Sequence, residues 1–465
     1  MSDSMPTLGP GMEPYRIRVV EPIRRSTLAE REEALRRARY NLYALDASEV
    51  MIDLLTDSGT CAISSSQSAA MMRGDESYAG SASYRRMELT IRQLFGFSEI
   101  LPTHQGRAAE RLLLGALAGA GSLIPSNTLF DTTRANCLDL GVEPCDLPAD
   151  EFWDFESSFP FKGNIDTEAL EAVLAGPESH RIPLVLMTIT NNICADLPVS
   201  MANLRRTSEL CQQYGKPLYL DACRFAQNAW YIREFEAGYR EKSIRQIVAE
   251  IFALAEGCIV SAKKDCMAQM GGFLALRSPK VAEAARSRML LTEGFVTYGG
   301  MTGRDMESIA TGLEEGIDEA HLSCRMESTR YLHDRLKALG VPMLSPSGGH
   351  AVYLPANRIL PHVTEHPGHA LAVELYRASG IRSTKIAMEP TTGPLKGEHL
   401  EFLRLALPNR VYTRGHLDFV AESMAWVMRH ADAIMGMRIL SSPLLLGGFM
   451  AEYEPVCTLT ESIAS

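Results

Sequence analysis

Lys263-Lys264 lies within Cys258-Ile-Val-Ser-Ala-Lys-Lys-Asp-Cys-Met-Ala-Gln-Met-Gly-Gly272. An apolar run ends in a serine and two lysines, and a glycine pair follows. That order places an amine at the end of a buried strand. Desolvation and the charge of the neighbouring lysine favour the neutral base there. A neutral amine condenses with an aldehyde, so the pattern suits Schiff-base chemistry. Taken alone it carries little, because most Lys-Lys pairs are solvated surface.

A second stretch upstream, Pro217-Leu-Tyr-Leu-Asp221-Ala-Cys-Arg224, reads as a short apolar strand that ends in an acid. Pyridoxal phosphate (PLP) chemistry needs a carboxylate against the pyridine nitrogen, so that the protonated ring accepts electrons from Cα. Asp221 suits that role, and Arg224 is within reach of the ring oxygen. The commoner meaning of Asp-x-x-Arg is an ion pair at a helix start. An acid-ended strand followed by a lysine-ended strand is the rarer combination. Leu101-Pro-Thr-His-Gln105-Gly106-Arg107-Ala-Ala-Glu110 leads into the apolar helix expected over Arg111 to Ala118. Free N–H groups at such a start bind anions, so Gln105, Gly106 and Arg107 are phosphate candidates. Ser261 offers a phosphate hydroxyl, and Phe130 a ring to stack.

These residues need elements that hold them at one edge of a sheet. Strands are expected at 184–190, 217–221, 258–261 and 273–277, with helices at 27–39, 200–213 and 244–255 between or before them. Such alternation implies an α/β architecture with a largely parallel sheet, where ligands gather at the carboxyl ends of strands. Asp221 and Lys264 both fall at such ends. A single long helix is expected from Arg304 to Leu339, joining a large domain to a small one. Strands near 350–354 and 402–407 and helices near 369–379 and 415–434 follow. Residues 1–15 read as a flexible arm.

Bulk properties narrow the function classes. The chain has 465 residues, 46% of them hydrophobic, and a net charge of −11, which argues against a nucleic-acid partner. Ten scattered cysteines without a CxxC pair suit reduced thiols in a cytoplasm. The N-terminus lacks the apolar core of a secretory signal, and no apolar run approaches membrane-spanning length. The expectation is a cytoplasmic enzyme acting on a small molecule, with neither nucleic acid nor membrane as partner.

Nine ordered motifs carry a resemblance. They are Glu13-Pro-Tyr-Arg-Ile-Arg-Val-Val-Glu-Pro22, Ile52-Asp-Leu-Leu-Thr-Asp-Ser-Gly-Thr60, Met71-Met-Arg-Gly-Asp-Glu-Ser-Tyr-Ala-Gly-Ser81, Thr103-His-Gln-Gly-Arg107, Phe161-Lys-Gly-Asn-Ile-Asp166, Pro198-Val-Ser-Met-Ala-Asn203, Ser261-Ala-Lys-Lys-Asp265, Tyr298-Gly-Gly300 and Gly348-Gly-His-Ala351. From Glu13 to Tyr453 the chain resembles the β-eliminating lyases, tryptophanase and tyrosine phenol-lyase. The resemblance implies a fold-type-I PLP-dependent transferase fold of the aspartate aminotransferase kind. It has a large domain with a mainly parallel seven-stranded sheet and a smaller α+β domain. Residues 1–59 would form the N-terminal arm and part of the small domain, 60–320 the large domain and 321–465 the C-terminal small domain.

Residue by residue, the resemblance makes Lys264 the cofactor's Schiff-base partner and the base at Cα, with Lys263 its electrostatic neighbour. Asp221 pairs with the pyridinium. Asn192 and Arg224 contact the ring oxygen, Phe130 stacks on the ring, and Gln105, Gly106, Arg107 and Ser261 hold the phosphate. Arg404 clamps the substrate carboxylate, with Thr56 and Ser58 beside it. Tyr78 protonates the leaving group from a neighbouring subunit. Glu76, with backbone oxygens of Gly59 and Gln269, matches a monovalent cation site, usually potassium. A homotetramer built from dimers is implied.

Within the family the residues lean towards tryptophanase. Ile386 stands where tyrosine phenol-lyase has an arginine for the phenol hydroxyl, Asp131 follows Phe130, and Glu21 to Ala34 reads closer to tryptophanase. Other positions depart from both enzymes. The family loop Ala-Gly-Gly-Gln-Pro is Cys194-Ala-Asp-Leu-Pro198, a pocket histidine is Gly448, a proline is Val296, and a glutamate is Lys385. The expected reaction is β-elimination from tryptophan or a modified tryptophan to the aromatic, pyruvate and ammonia. Two alternatives stay open. One is β-elimination or β-substitution on another amino acid, such as tyrosine or a cysteine conjugate. The other is a non-catalytic PLP- or ligand-binding paralogue.

Overall fold

The computed structural model describes residues 13–193, 195–390 and 393–456. Most of the expected N-terminal arm and residue 194 of the altered loop lie outside that set.

Seven strands form the main sheet: β1 (Glu99–Thr103), β2 (Leu123–Ser126), β3 (Glu143–Asp146), β4 (Val185–Thr188), β5 (Leu218–Asp221), β6 (Gly257–Ser261) and β7 (Gly272–Leu276). Their spatial order is β1-β7-β6-β5-β4-β2-β3. All are parallel except β7, which runs antiparallel to both neighbours. β4 to β7 are buried along their full length, as strands covered on both faces must be. Register brings their functional ends level. Thr188 pairs with Asp221, and Ser261 and Thr103 both pair with Gly272.

Helix α1 (Gly106–Leu117) follows β1, α2 (Asp131–Asp139) follows β2, and α3 (Phe225–Phe235) follows β5. A second sheet has the order β9-β10-β8, all antiparallel, with β8 at Ala351–Pro355, β9 at Thr384–Met388 and β10 at Leu400–Ala406. The helix Leu28–Arg37 joins this second unit. Its Ala34 and Leu35 share an apolar cluster with Leu371, Leu375, Leu403 and Leu405. Ile52–Asp53 pairs in parallel with Ile381–Arg382.

The seven-stranded sheet and the separate antiparallel sheet match the expected α/β class. One expectation fails. The long helix is two, Gly303–Gly316 and Glu319–Ala338. Asp318 caps the second through the N–H of His321. A Cβ on Gly316 would fall 2.3 Å from the Asp265 carbonyl oxygen, so the chain passes that backbone closely as the first helix ends. The described cysteines are all free thiols. No helix among the described residues is long and apolar enough to cross a membrane.

Candidate active site

A cleft opens at the carboxyl ends of β4, β5 and β6. It is lined by Ser58, Gln105, Gly106, Arg107, Phe130, Asn192, Asp221, Arg224, Ser261, Lys263 and Lys264, all of them expected site residues. Glu110, Thr132, Thr188, Thr190 and Cys223 line it too and were not anticipated.

The anion end is built from α1. Gln105 precedes the helix in extended conformation (φ −168°) and gives it no side-chain cap, so no side chain competes with a ligand for the N–H groups of the first turn. Gly106 is forced. A Cβ there would sit 2.8 Å from Ser261 Cβ and 3.3 Å from its nitrogen. The helix start and the end of β6 therefore close into one cradle.

The lysine segment is pinned from two sides. Lys263 O accepts from Gly59 N at 2.8 Å. Asp265 accepts from Ala226 N at 2.8 Å and Gln227 N at 3.2 Å, capping α3 just past Arg224. Burial raises the Asp265 carboxyl to about 6. Burial, with Lys264 and Arg107 adding repulsion, lowers the Lys263 ammonium.

Asp221 and Glu110 are two buried acids in one cleft. Burial raises both, and Asp221 adds repulsion on Glu110. Glu110 accepts from Thr132 Oγ1 at 3.0 Å and Asn136 Nδ2 at 3.2 Å. Cys223 Sγ donates to Asp221 Oδ1 at 3.0 Å and accepts from Ser261 N at 3.2 Å, which ties the ends of β5 and β6 together.

Arg224 is held by Asp57, with Nη2–Oδ1 at 2.8 Å and Nε–Oδ2 at 3.1 Å. Burial opposes the charge on Asp57, but Arg224 and then His350 outweigh it and hold the carboxyl far below its usual range. Asn192 Oδ1 accepts from Tyr353 Oη at 3.1 Å and Arg404 Nη1 at 3.3 Å. Its buried Nδ2 and the Nε of Arg404 have no hydrogen-bond partner among the described residues. Arg404 Nη2 also reaches Leu55 O at 2.9 Å.

These features fit PLP. A capless helix start suits its phosphate, a buried acid at a strand end suits its ring nitrogen, an unpaired amide donor suits its ring oxygen, and a lysine amine suits its aldehyde.

The remaining expected residues lie outside the cleft lining. Thr56 flanks Asp57, and its Oγ1 accepts from Ser58 N. Asp131 opens α2, and burial raises its carboxyl against the pull of Arg404 and Arg134. Ile386 is buried on β9 in an apolar cluster with Tyr353 and Phe402. Gly448 is exposed, and nothing lies within 4 Å of where its Cβ would be. Tyr78 is 69% exposed and packs on Phe295 and Tyr298. Gly59 and Gln269 approach closely, since a Cβ on Gly59 would meet Gln269 O at 2.9 Å. Glu76 instead accepts from Gly303 N at 2.9 Å. Lys385 Nζ sits 2.6 Å from Glu401 Oε1 and 3.1 Å from His366 Nδ1, so its ammonium fills the cluster His366–His399–Glu401.

Comparison with known proteins identifies the family. The family described as beta-eliminating lyase matches residues 53–423. A tryptophanase from Salinibacter ruber is 48% identical over 450 residues, 96% of this chain and 95% of that protein. A tyrosine phenol-lyase from Symbiobacterium thermophilum is 42% identical, covering 96% and 99%. Among solved structures, Sphingomonas wittichii serine palmitoyltransferase aligns with a TM-score of 0.61 at 14% identity, over 88% of this chain and 97% of that one; this likeness concerns the fold alone.

Proposed function

We propose that this chain, which belongs to the β-eliminating lyase family, is a PLP-dependent lyase that cleaves L-tryptophan or a modified tryptophan to the free indole, pyruvate and ammonia. The observation that carries the reading is the joint placement of Lys264, Asp221 and the uncapped start of α1 around one cleft. The apolar Ile386 on β9 supports indole over a phenol, as does the higher identity to a tryptophanase than to a tyrosine phenol-lyase.

PLP, when bound, supplies an aldehyde for the substrate amine and a protonated ring that draws electrons from Cα. The chain's own groups do the rest. The N–H groups of α1 with Ser261 and Arg107 hold the phosphate. Asp221 keeps the ring nitrogen's proton, and Cys223 fixes the carboxylate that does so. Asn192 and Arg224 face the ring oxygen. Lys264 takes the proton from the substrate Cα. Arg404 grips the substrate carboxylate through a planar, two-point contact. An aromatic carbon leaves poorly unless it is protonated, so a second acid is needed on the far side, and Tyr78 is that acid. Tyr78 lies outside the cleft of its own chain, so it serves the site of a second copy, and the working unit is at least a dimer. Glu76 and the backbone oxygens of Gly59 and Gln269 would hold a monovalent cation, usually potassium, in the same reading.

The balance is tryptophan plus water to indole, pyruvate and ammonia. The test is direct. Protein with PLP in potassium buffer is given tryptophan, substituted tryptophans, tyrosine and S-alkyl cysteines, and pyruvate and the released group are measured by mass spectrometry. Indole with equimolar pyruvate is expected. Turnover of S-alkyl cysteines alone would defeat the tryptophan assignment while leaving the lyase chemistry.

A further inference from the structure

The altered loop at 194–198 places a carboxylate where the resembled family has a glycine. Ala195 and Asp196 take left-handed conformations, φ 54° and 62°, which a glycine adopts without strain. Asp196 is also fully buried. A side chain kept at the cost of strain and desolvation together needs compensating contacts, and they are present. Asp196 Oδ1 accepts from Thr190 Oγ1 at 2.6 Å and Oδ2 from His350 N at 2.6 Å. The His350 ring meets the same carboxylate through Nδ1. Asp196 Oδ1 lies 3.9 Å from Arg224 Nε. His350 Nε2 lies 4.0 Å from Asp57 Oδ1, and Asp57 grips Arg224. Asp57, Asp196 and Arg224 thus close a buried ring with His350, whose imidazolium form is disfavoured by burial and by Arg224, against one wall of the cleft. Arg325, whose Nη2 donates to His350 O at 3.4 Å, and the Tyr231 and Tyr353 hydroxyls also act on this group electrostatically, as Lys264 does on Asp57.

Asp57 already occupies the Nε–H of Arg224, so Asp196 acts on the guanidinium through charge and not through a bond of its own. We propose that Asp196 is a positioning residue that orients His350 and sets the net charge the Asp57–Arg224 pair presents to the cofactor's ring oxygen. The proposal rests on the reading of the cleft as a PLP site. One buried anion beside the arginine offsets its positive field. Removing that anion makes the surroundings of the ring oxygen more positive, which disfavours the protonated form of the bound cofactor. Its colour change with pH then moves to lower pH.

Asp196→Asn keeps the size, can accept from His350 N and can bond Thr190 Oγ1; only the charge goes. Asp196→Gly relieves the backbone and serves as a second variant should Asn fold poorly. Each holoenzyme is titrated from pH 5.5 to 9.5 while the visible band of the bound cofactor is followed, alongside Tm, kcat and KM. The expected result is a midpoint at least half a pH unit lower in both variants, with kcat reduced and KM within about twofold. An unchanged midpoint with a lowered Tm means that Asp196 only braces the loop, and overturns the proposal. The unaltered protein is measured first. If it develops no visible band with PLP, the cofactor reading fails and the proposal falls with it, a failure seen before any variant is made.

Discussion

Gly106→Ala tests the cradle most sharply. The added methyl would sit 2.8 Å from Ser261 Cβ, 3.2 Å from its Cα and 3.3 Å from its nitrogen. None of these atoms belongs to a flexible side-chain end. Ser261 closes β6 and pairs with Gly272 on β7, so it cannot retreat without breaking a sheet register. The first turn of α1 must move instead. Overpacking of this kind costs about 1–3 kcal/mol. The larger effect falls on the ligand, because the same turn carries the N–H groups expected to hold the phosphate. Losing one hydrogen bond to a charged group costs about 1.5–3 kcal/mol, which is roughly a 10- to 150-fold weaker affinity. Gly119→Ala is the control, since nothing lies within 4 Å of its Cβ position. PLP affinity is read by equilibrium dialysis and Tm by calorimetry, with and without cofactor. Gly106→Ala with PLP affinity within twofold of the parent would refute the cradle. So would an equal loss in Gly119→Ala.

Arg404→Lys replaces a planar fork with a point charge, so KM for tryptophan should rise roughly 10- to 100-fold. An unchanged KM in steady-state kinetics would remove Arg404 from carboxylate recognition. Tyr78→Phe should lower kcat for tryptophan by about 10²–10⁴-fold and leave S-alkyl cysteines largely unaffected, because a thiolate leaves without carbon protonation. Parallel loss on both substrates would count against a leaving-group acid. Asp57 and Asp196 are both buried and both held low by His350 and Arg224, which outweigh the desolvation. Their folded pKa values lie below the unfolded value of about 3.9, so their contribution is complete above that pH and disappears as pH falls through the folded values. Tm of the apoprotein should therefore drop steeply below about pH 4, and less so in Asp196→Asn. A Tm insensitive to pH down to 3 would contradict that electrostatic account.

The core of the site was legible because its chemistry demands particular residue types at strand ends. Asp221, Lys264 and Gln105 to Arg107 end or follow apolar runs, and the fold gathers them in one cleft. The central strands read well for the same reason: they are buried on both faces and so are continuous apolar runs. β1, β2 and β3 were hidden by Pro102, Pro125 and Pro144. β1 and β3 are the two edges of the sheet, where a missing donor is tolerated, and β2 shares only one register pair with β4. The break at Ile317–Asp318 was masked because apolar spacing runs through it. Asp57 and His350 sat inside recognised motifs, yet no pattern in a chain shows that two such motifs meet in space. Glu110 carried no signal apart from its place one turn past the phosphate loop. Asp196 could be seen only as a departure from a glycine.

Two of the recognised motifs turn out to brace the loop rather than to touch a ligand. Asn164 Oδ1 accepts from Ser200 N at 2.9 Å, and Asn203 exchanges two bonds with the backbone of Ile165. Gly163 approaches so closely that a Cβ would meet Leu197 O at 2.3 Å. The segment that leaves the loop, from Leu197 to Asn203, is therefore fixed against residues 163–165. Asn192 lies inside the loop and faces Arg404 and Tyr353. Its buried Nδ2 has no hydrogen-bond partner among the described residues, while its Oδ1 accepts from Arg404 of β10 and Tyr353 of β8. If Asn192 and Arg404 hold the ring oxygen and the substrate carboxylate as proposed, the two contacts share one amide. On the proposed roles, binding at Arg404 would reach the ring oxygen through a single side chain, whereas Ile386, two residues from the register partner of Arg404, packs in a separate apolar cluster with Tyr353 and Phe402.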